Sequence, residues 1–293
     1  MRFFFSLKYF FITFFLLLSQ FLAHAQKVVE PLTDNPDWTA AYQPFQIVGN
    51  LYYVGTRDLA CYLITTPVGH ILINTGLASS APLIKANMAI LGFKLSDIKI
   101  LLTTQAHFDH MGAMATIKKQ TSAQFMVDAA DSSVVADGGK SDYDTGGSIS
   151  TYIPLSPSRI LHNNDTIKLG DTRLIMLHHP GHTKGSCSYM LQVIDKDKIF
   201  KILIANMPTI VTDKKFAEIT TYPTIAADYA YTLATMKNLQ FDIWLASHAS
   251  QFKLHQKHPP NGAYNPNAFI DQQGYKQQIS DLQDAFIKKL KQE

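Results

Sequence analysis

The sequence predicts an α/β chain of four layers, two sheets packed on each other with helices on their outer sides. Three observations lead there. β runs followed by helices begin after Phe45, the same succession recurs in the second half, and the length suits one large domain with a substantial core. Of the 293 residues, the first 25 read as an address rather than as fold. In MRFFFSLKYFFITFFLLLSQFLAHA, Arg2 and Lys8 precede an apolar stretch that closes on Ala23-His24-Ala25, the small-x-small pattern of a cleaved signal peptide. The apolar part from Tyr9 to Leu22 contains Thr13, Ser19 and Gln20 and is short for a membrane span of about 20 residues. The expected organisation is a signal peptide over 1–25 and one folded domain over 26–293. The mature protein is expected in a bacterial periplasm, as a monomer, with no stable membrane anchor after cleavage.

Charge excludes one class of function. With 26 Lys+Arg against 23 Asp+Glu the formal net charge is +3, and no Lys/Arg block occurs, so there is no nucleic-acid signal. Cys61 and Cys187 both lie in apolar runs. They could form a disulfide in an oxidising compartment or remain buried thiols, and the sequence leaves both open.

The domain opens on an irregular, Pro-containing lead. Short β runs follow (QIVG, NLYYVG, then ACYLITTPVGHILINTG), with Gly49-Asn50 and Pro67-Val68-Gly69 as turns between antiparallel strands. Thr56-Arg57-Asp58 separates two of these runs as a tip that could overhang a site. In APLIKANMAILGF, Leu83, Ile84, Met88 and Leu91 share a helical face ended by Gly92, with Asn87 a polar break in that stripe. KILLTT at 99–104 reads as a buried strand, followed by a helix over about 112–120, the strand QFMVD and a helix over about 129–136. Residues 137–158, with four glycines and two prolines, form a long connection of the kind that borders sites. A hairpin turning at Gly170-Asp171 leads to His178-His179-Pro180-Gly181-His182. Two further β runs flank the charged turn at 195–198, a helix follows at about 226–239, and FDIWLASH is a short buried strand ending in His248. Ile279, Leu282, Phe286 and Leu290 then mark a closing amphipathic helix.

The chemistry concentrates in TTQAHFDHMG, residues 103–112, where Gln105, His107, Asp109 and His110 crowd into six positions at the end of a buried strand. Strand carboxyl ends are where open α/β sheets hold ligands. Two imidazoles, a carboxylate and an amide packed together in an apolar setting would go unsatisfied, and a bound cation resolves that, imidazole nitrogen and carboxylate oxygen being ordinary Zn²⁺ donors. His182 and His248 sit at two other strand ends. Either alone reads as a structural histidine, but three loops at separate strand ends can converge on one cleft and supply donors for two metals. His178 and His179 alternate along a strand and are read as strand or supporting residues. Ser186 after Gly185 lacks a nucleophile-elbow context, which disfavours serine chemistry.

HFDH, PGHTKGS and a strand-terminal His resemble the metallo-β-lactamase superfamily across essentially the whole mature chain. The stretches LYYVGTRDLACYLI, ILINTG, HHPGHTKGSCS, LIANMP and ASHASQF resemble its subclass B3, in the variant with Gln at the first ligand position. The resemblance implies a four-layer αββα sandwich and zinc-dependent hydrolysis of the β-lactam amide bond by a metal-bound hydroxide. Penicillins, cephalosporins and carbapenems would be its small-molecule substrates and antibiotic resistance its consequence. Carried over, Gln105, His107 and His182 form one metal site and Asp109, His110 and His248 the other, with Asp109 as ligand and orienter of the nucleophile. One or two Zn²⁺ are implied. Because an amide oxygen is a poorer donor than imidazole, the Asp109/His110/His248 site is expected to fill first. Glyoxalase II-like thioesterases of the superfamily carry a metal-bridging Asp where this chain has Asn206-Met207, and many B3 relatives carry Ser at the place of Met207. Thr209 is then the candidate for the substrate carboxylate, its other reading being strand-end surface. The alternatives are another exported metallohydrolase of this fold, a lactonase or thioesterase, and a non-enzymatic zinc-binding member.

Overall fold

The structure is a computed structural model describing residues 27–292; the signal-peptide reading falls outside the described residues. Among those residues no helix is long and apolar enough to cross a membrane.

Two mixed sheets build the molecule. The first has seven strands in sequential order: β1 (Phe45–Val48), β2 (Leu51–Tyr53), β3 (Tyr62–Thr66), β4 (Gly69–Ile73), β5 (Ile98–Leu102), β6 (Gln124–Asp128) and β7 (Arg159–Leu161). Tight turns make β1 to β4 antiparallel. Crossovers through α1 (Ser80–Ile90) and α3 (Met114–Thr121) then force β4, β5 and β6 to run parallel, and β7 continues the parallel run. The second sheet is ordered β12-β11-β10-β9-β8, from β8 (Thr166–Leu169), β9 (Thr172–His178), β10 (Cys187–Asp195), β11 (Lys198–Ala205) and β12 (Ile243–Ala246). Its hairpins are antiparallel, and only β12, arriving after α5 (Ile225–Met236), pairs parallel with β11.

Why the central strands read as unbroken apolar runs is clear from where alternate side chains go. Ile71 and Ile73 of β4, Ile100 and Leu102 of β5 and Met126 of β6 enter the core between the sheets, where they meet Tyr189, Leu191 and Val193 of β10. Leu72, Leu101, Phe125 and Val127 point the other way, into a second core under α1, α3 and α4 (Ser132–Ala136). On the far side, beyond the short α6 (Leu254–Lys257), α5 and α7 (Gln272–Leu290) cover the second sheet; Tyr275 and Ile279 of α7 join the inter-sheet core beside Trp244, while Tyr229 and Phe286 pack with Phe216. Each fully buried side chain of this kind contributes about 1.5–3 kcal/mol. The four layers are those expected.

Several local readings are refined. The helix expected at about 112–120 is two pieces, α2 (Phe108–Met111) and α3, joined at Gly112-Ala113. Asn87, the polar break in the α1 stripe, is buried because its amide donates to the carbonyls of Val54 at 3.0 Å and Gly55 at 3.2 Å, which leave β2 without a ladder partner there. Cys61 and Cys187 are buried free thiols, and burial pushes the Cys187 thiol up from its ordinary value.

Candidate metal centre

Three chain segments meet because Thr104 ties them together. Leaving β5, its N–H donates to Asn74 Oδ1 at 2.9 Å, its carbonyl accepts from Cys187 N at 2.8 Å, and its hydroxyl lies 2.9 Å from Ser247 Oγ. Asn74 stands in the left-handed region at φ 61°, a conformation Asn tolerates, which aims its side chain back at β5. One residue thus fixes the ends of β4, β5, β10 and β12 against each other, and Gln105 and His248 follow directly on Thr104 and Ser247.

His107 precedes α2 in extended conformation (φ −81°, ψ 157°), while Asp109 and His110 ride on it. Asp109 Oδ2 lies 3.0 Å from His110 Nε2 and 3.3 Å from His248 Nε2. One donor atom from each of these three residues falls within 4.8 Å of the others, a spacing that suits a single cation. Alongside, the rings of His107 and His182 stand 4.9 Å apart, with Gln105 on the same loop. Gln105, His107, Asp109, His110 and His182 are all buried. The outer nitrogens of two histidines are held from behind. His182 Nδ1 donates to the Thr209 carbonyl at 2.8 Å, and His248 Nδ1 faces Asp58 Oδ2 at 3.2 Å. Both therefore turn Nε2 inward, as metal-binding imidazoles do when a partner fixes the tautomer.

The donor set fits zinc. Gln105 Oε1 is enclosed without a hydrogen-bond partner, and His110 Nε2 has only the 3.0 Å contact with Asp109 Oδ2, although a buried polar atom costs about 1–3 kcal/mol if left unsatisfied. A cation taking those lone pairs removes the penalty, and N and O donors of these types are what Zn²⁺ takes. The electrostatics agree for Asp109 and His182. Burial opposes ionisation of Asp109, yet His110 and His248 hold its carboxyl well below the usual range. Burial, with His107 nearby, pushes His182 down to about 3, so its imidazole is neutral and able to ligate.

Of the residues singled out from the sequence, Asp109, His110 and His248 form one group, and the rings of His107 and His182 stand together, with Gln105 on the loop that carries His107. Thr209 lies beside them with its hydroxyl 3.1 Å from His182 Nδ1, so both of its oxygens are turned toward that ring. His178 and His179 face away, to Asp128 at 2.8 Å and Ser188 at 2.7 Å. Three participants escaped the sequence reading. Asp58, noted only as part of an overhanging tip, accepts from His248, from Trp38 Nε1 at 3.1 Å and from Ser250 N at 2.9 Å. Trp38 itself forms a wall, its ring 5.6 Å from His248 and 6.2 Å from Phe108. Asp131, buried, braces the His182 turn by accepting from Thr183 Oγ1 and Gly185 N, both at 2.7 Å. An acidic residue in a polar stretch carries no signal of such a role.

A family model described as the metallo-β-lactamase superfamily matches residues 54–191. Among solved structures, the class B3 di-zinc metallo-β-lactamase LRA-12 from an Alaskan soil metagenome is 60% identical with a TM-score of 0.89, over 90% of this chain and 100% of that one. The metallo-β-lactamase GOB-18 of Elizabethkingia meningoseptica is 54% identical, TM-score 0.90, over 92% of this chain and 100% of that one. A β-lactamase from Chitinophaga pinensis is 52% identical, TM-score 0.88, over 90% and 100%. Likeness to curated proteins is local. The acyl-coenzyme A thioesterase MBLAC2 of Gallus gallus is 52% identical over 33 residues, 11% of this chain and 12% of that protein. A protein of Aquifex aeolicus (strain VF5) is 26% identical over 99 residues, 32% of this chain and 44% of it. The chain thus spans less than half the length of these curated relatives.

Proposed function

Because the chain belongs to the metallo-β-lactamase superfamily, and within it to class B3, we propose that it hydrolyses the amide bond of β-lactam antibiotics with bound zinc. The observation that carries this is the Asp109–His110–His248 group, its first two members buried, set beside an enclosed Gln105 Oε1 that lacks a partner. Asp109, His110 and His248 would hold one Zn²⁺, and Gln105, His107 and His182 a second, more weakly held one. When bound, zinc supplies a nucleophile at neutral pH by lowering the pKa of water from 15.7 to about 7, and it polarises the lactam carbonyl.

The chain's own residues set the stage for that chemistry. Asp109 stays ionised between His110 and His248, so it binds and orients and is not left over as a free general base. Asp58 and the Thr209 carbonyl fix the tautomers of His248 and His182. Trp38 packs against both His248 and Phe108, an apolar flank beside the Asp109/His110/His248 group. Thr209 is retained as the candidate contact for the substrate carboxylate, since the neighbouring Met207 is buried and has no hydrogen bond to offer. The local likeness to a thioesterase raises a second reading. Against it stands the end of β11, Ala205-Asn206-Met207, which carries no carboxylate. Export through residues 1–25 to a periplasm, where β-lactams arrive, and a resulting role in antibiotic resistance complete the proposal.

The test is hydrolysis of a chromogenic cephalosporin by the purified mature protein, lost with EDTA and restored by Zn²⁺, beside lactone and acyl-thioester substrates. Turnover of the lactone or thioester without the cephalosporin would replace this reading with its alternative. Metal binding without any hydrolysis would favour a non-enzymatic zinc protein.

A further inference from the structure

The connection between α4 and β7 reaches the Gln-bearing half of the centre at three successive points. The Tyr152 hydroxyl donates to the Ala106 carbonyl at 2.7 Å, between Gln105 and His107. The Tyr143 hydroxyl donates to the carbonyls of His182 at 3.1 Å and Gly181 at 3.3 Å. Asp142 Oδ2 lies 3.4 Å from His107 Nε2, a long contact between two buried groups. The other oxygen, Oδ1, is fully engaged by Asp144 N at 2.9 Å, Thr145 N at 2.8 Å and Thr145 Oγ1 at 3.1 Å. That pinning fixes the carboxylate as a neighbour of His107 Nε2 and keeps it from swinging into the cleft. His107 Nε2 is enclosed and has no hydrogen bond closer than this contact, so Asp142 Oδ2 is the acceptor its proton faces.

We propose that Asp142 is a positioning residue for the Gln105/His107/His182 zinc site: it keeps the His107 proton on Nε2 and so leaves the Nδ1 lone pair for the metal. The inference rests on the zinc-hydrolase reading above and names the outer partner of the one histidine in that set that lacks a backbone acceptor. It also compensates for Gln105. An amide oxygen is a weaker donor than imidazole, and a carboxylate behind a ligating histidine raises that histidine's basicity. His182 and His248 have the same arrangement, each with its outer nitrogen on an oxygen acceptor.

Two variants separate this role from simple bracing of the loop. Asp142→Asn preserves an oxygen for Asp144 N and Thr145 N but can turn an NH₂ donor toward His107 Nε2, which moves the ring proton to Nδ1. Asp142→Ala removes the loop's acceptor but lets water accept from Nε2. Zn²⁺ affinity of each site, by chelator competition and by Co²⁺ absorption during titration, is the readout. Asn is expected to weaken the Gln-bearing site by about 10- to 100-fold, and by more than Ala, with the Asp109/His110/His248 site unchanged in both. A structural brace predicts the reverse order, and that order, or no change, overturns the proposal. In the zinc-loaded wild-type chain, ¹⁵N spectra of histidine should show the His107 proton on Nε2; a proton on Nδ1 overturns it independently of whether either variant folds. A wild-type chain that binds no Zn²⁺ or Co²⁺ would instead refute the functional reading.

Discussion

Gly112→Ala is the substitution by which the geometry of the centre is tested most directly. Gly112 joins α2 to α3 with φ −52° and ψ −48°, so its backbone would accept any residue. Space is the obstacle. A Cβ there would lie 2.4 Å from Ala78 N, 2.5 Å from Leu77 C and 2.7 Å from Leu77 Cα, all of them backbone atoms that cannot rotate away. Since nonbonded heavy atoms rest at about 3.5–4.0 Å, α2 and the Leu77–Ala78 segment must separate by roughly 1 Å. The segment cannot simply retreat, because Thr75 N and Oγ1 both hold the His110 carbonyl, at 2.9 and 3.0 Å, and Ala78 N is bound to Glu30 at 2.7 Å. The shift therefore passes to Asp109 and His110. Overpacking of this kind costs about 1–3 kcal/mol, and a displacement of about 1 Å in catalytic groups costs on the order of 100-fold in rate. Steady-state kcat/KM, zinc content and thermal unfolding would be measured together, with Gly92→Ala as control. Gly92 is left-handed at φ 84° with nothing within 4 Å, so that variant should lose about 1–2 kcal/mol of stability and no activity. Wild-type kcat/KM and zinc content in Gly112→Ala would refute the claim that α2 is held in place by this backbone contact.

Other perturbations reach different parts of the site. Chelation should abolish turnover, and Gln105→His should tighten the second zinc, measured as stoichiometry against free Zn²⁺; equal affinity in both proteins would show that the amide is no handicap. Asp58→Ala removes the acceptor behind His248 and should weaken the Asp109/His110/His248 site by about 10- to 100-fold in chelator competition, an unchanged affinity being the contrary result. Stability should also vary with pH through Asp131, whose carboxyl burial pushes up to about 7 in spite of the Thr183 hydroxyl. A raised acid means that the folded chain keeps a proton the unfolded chain, titrating near 3.9, has already lost. Its contribution is thus full below about pH 4 and declines as pH rises toward 7. In urea unfolding of the zinc-free protein, the difference between wild type and Asp131→Asn should change across that window, and a constant difference would contradict it.

The fold was legible because period and length speak for whole elements. Unbroken apolar runs such as those around Ile71–Ile73 and Ile98–Leu102 belong to strands covered on both faces, and both faces are indeed filled. Boundaries were less legible where a helix breaks for tertiary reasons. Nothing in HFDHMGAMATIKK announces that α2 and α3 part at Gly112, because the cause is the approach of Leu77 and Ala78 from a segment more than thirty residues earlier. Asn87 shows the same limit. It reads as a fault in an apolar stripe, and only the unpaired carbonyls of Val54 and Gly55 explain it.

The six candidate donors stood out in the sequence because His and Asp are the ordinary donor types for a metal and here they recur at strand ends in numbers that chance and core packing do not easily produce. Their supporting partners obey no such rule. Asp58, Asp131 and Asp142 are ordinary acids in loops or, for Asp131, a short 3₁₀ helix, and each acquires its role from a residue distant in the chain: His248, Thr183 and His107. The same is true of Thr104, whose hydroxyl, N–H and carbonyl bind three separate segments and thereby bring Gln105 and His248 to one cleft. The identity of the candidate donors is thus written locally, whereas their orientation is written in the pairing of segments. Two chains with the same six donors could therefore hold zinc with quite different affinities, according to what stands behind each imidazole. Substitutions at Asp58 and Asp142 should move the two sites separately, because each acid touches a histidine of a different set.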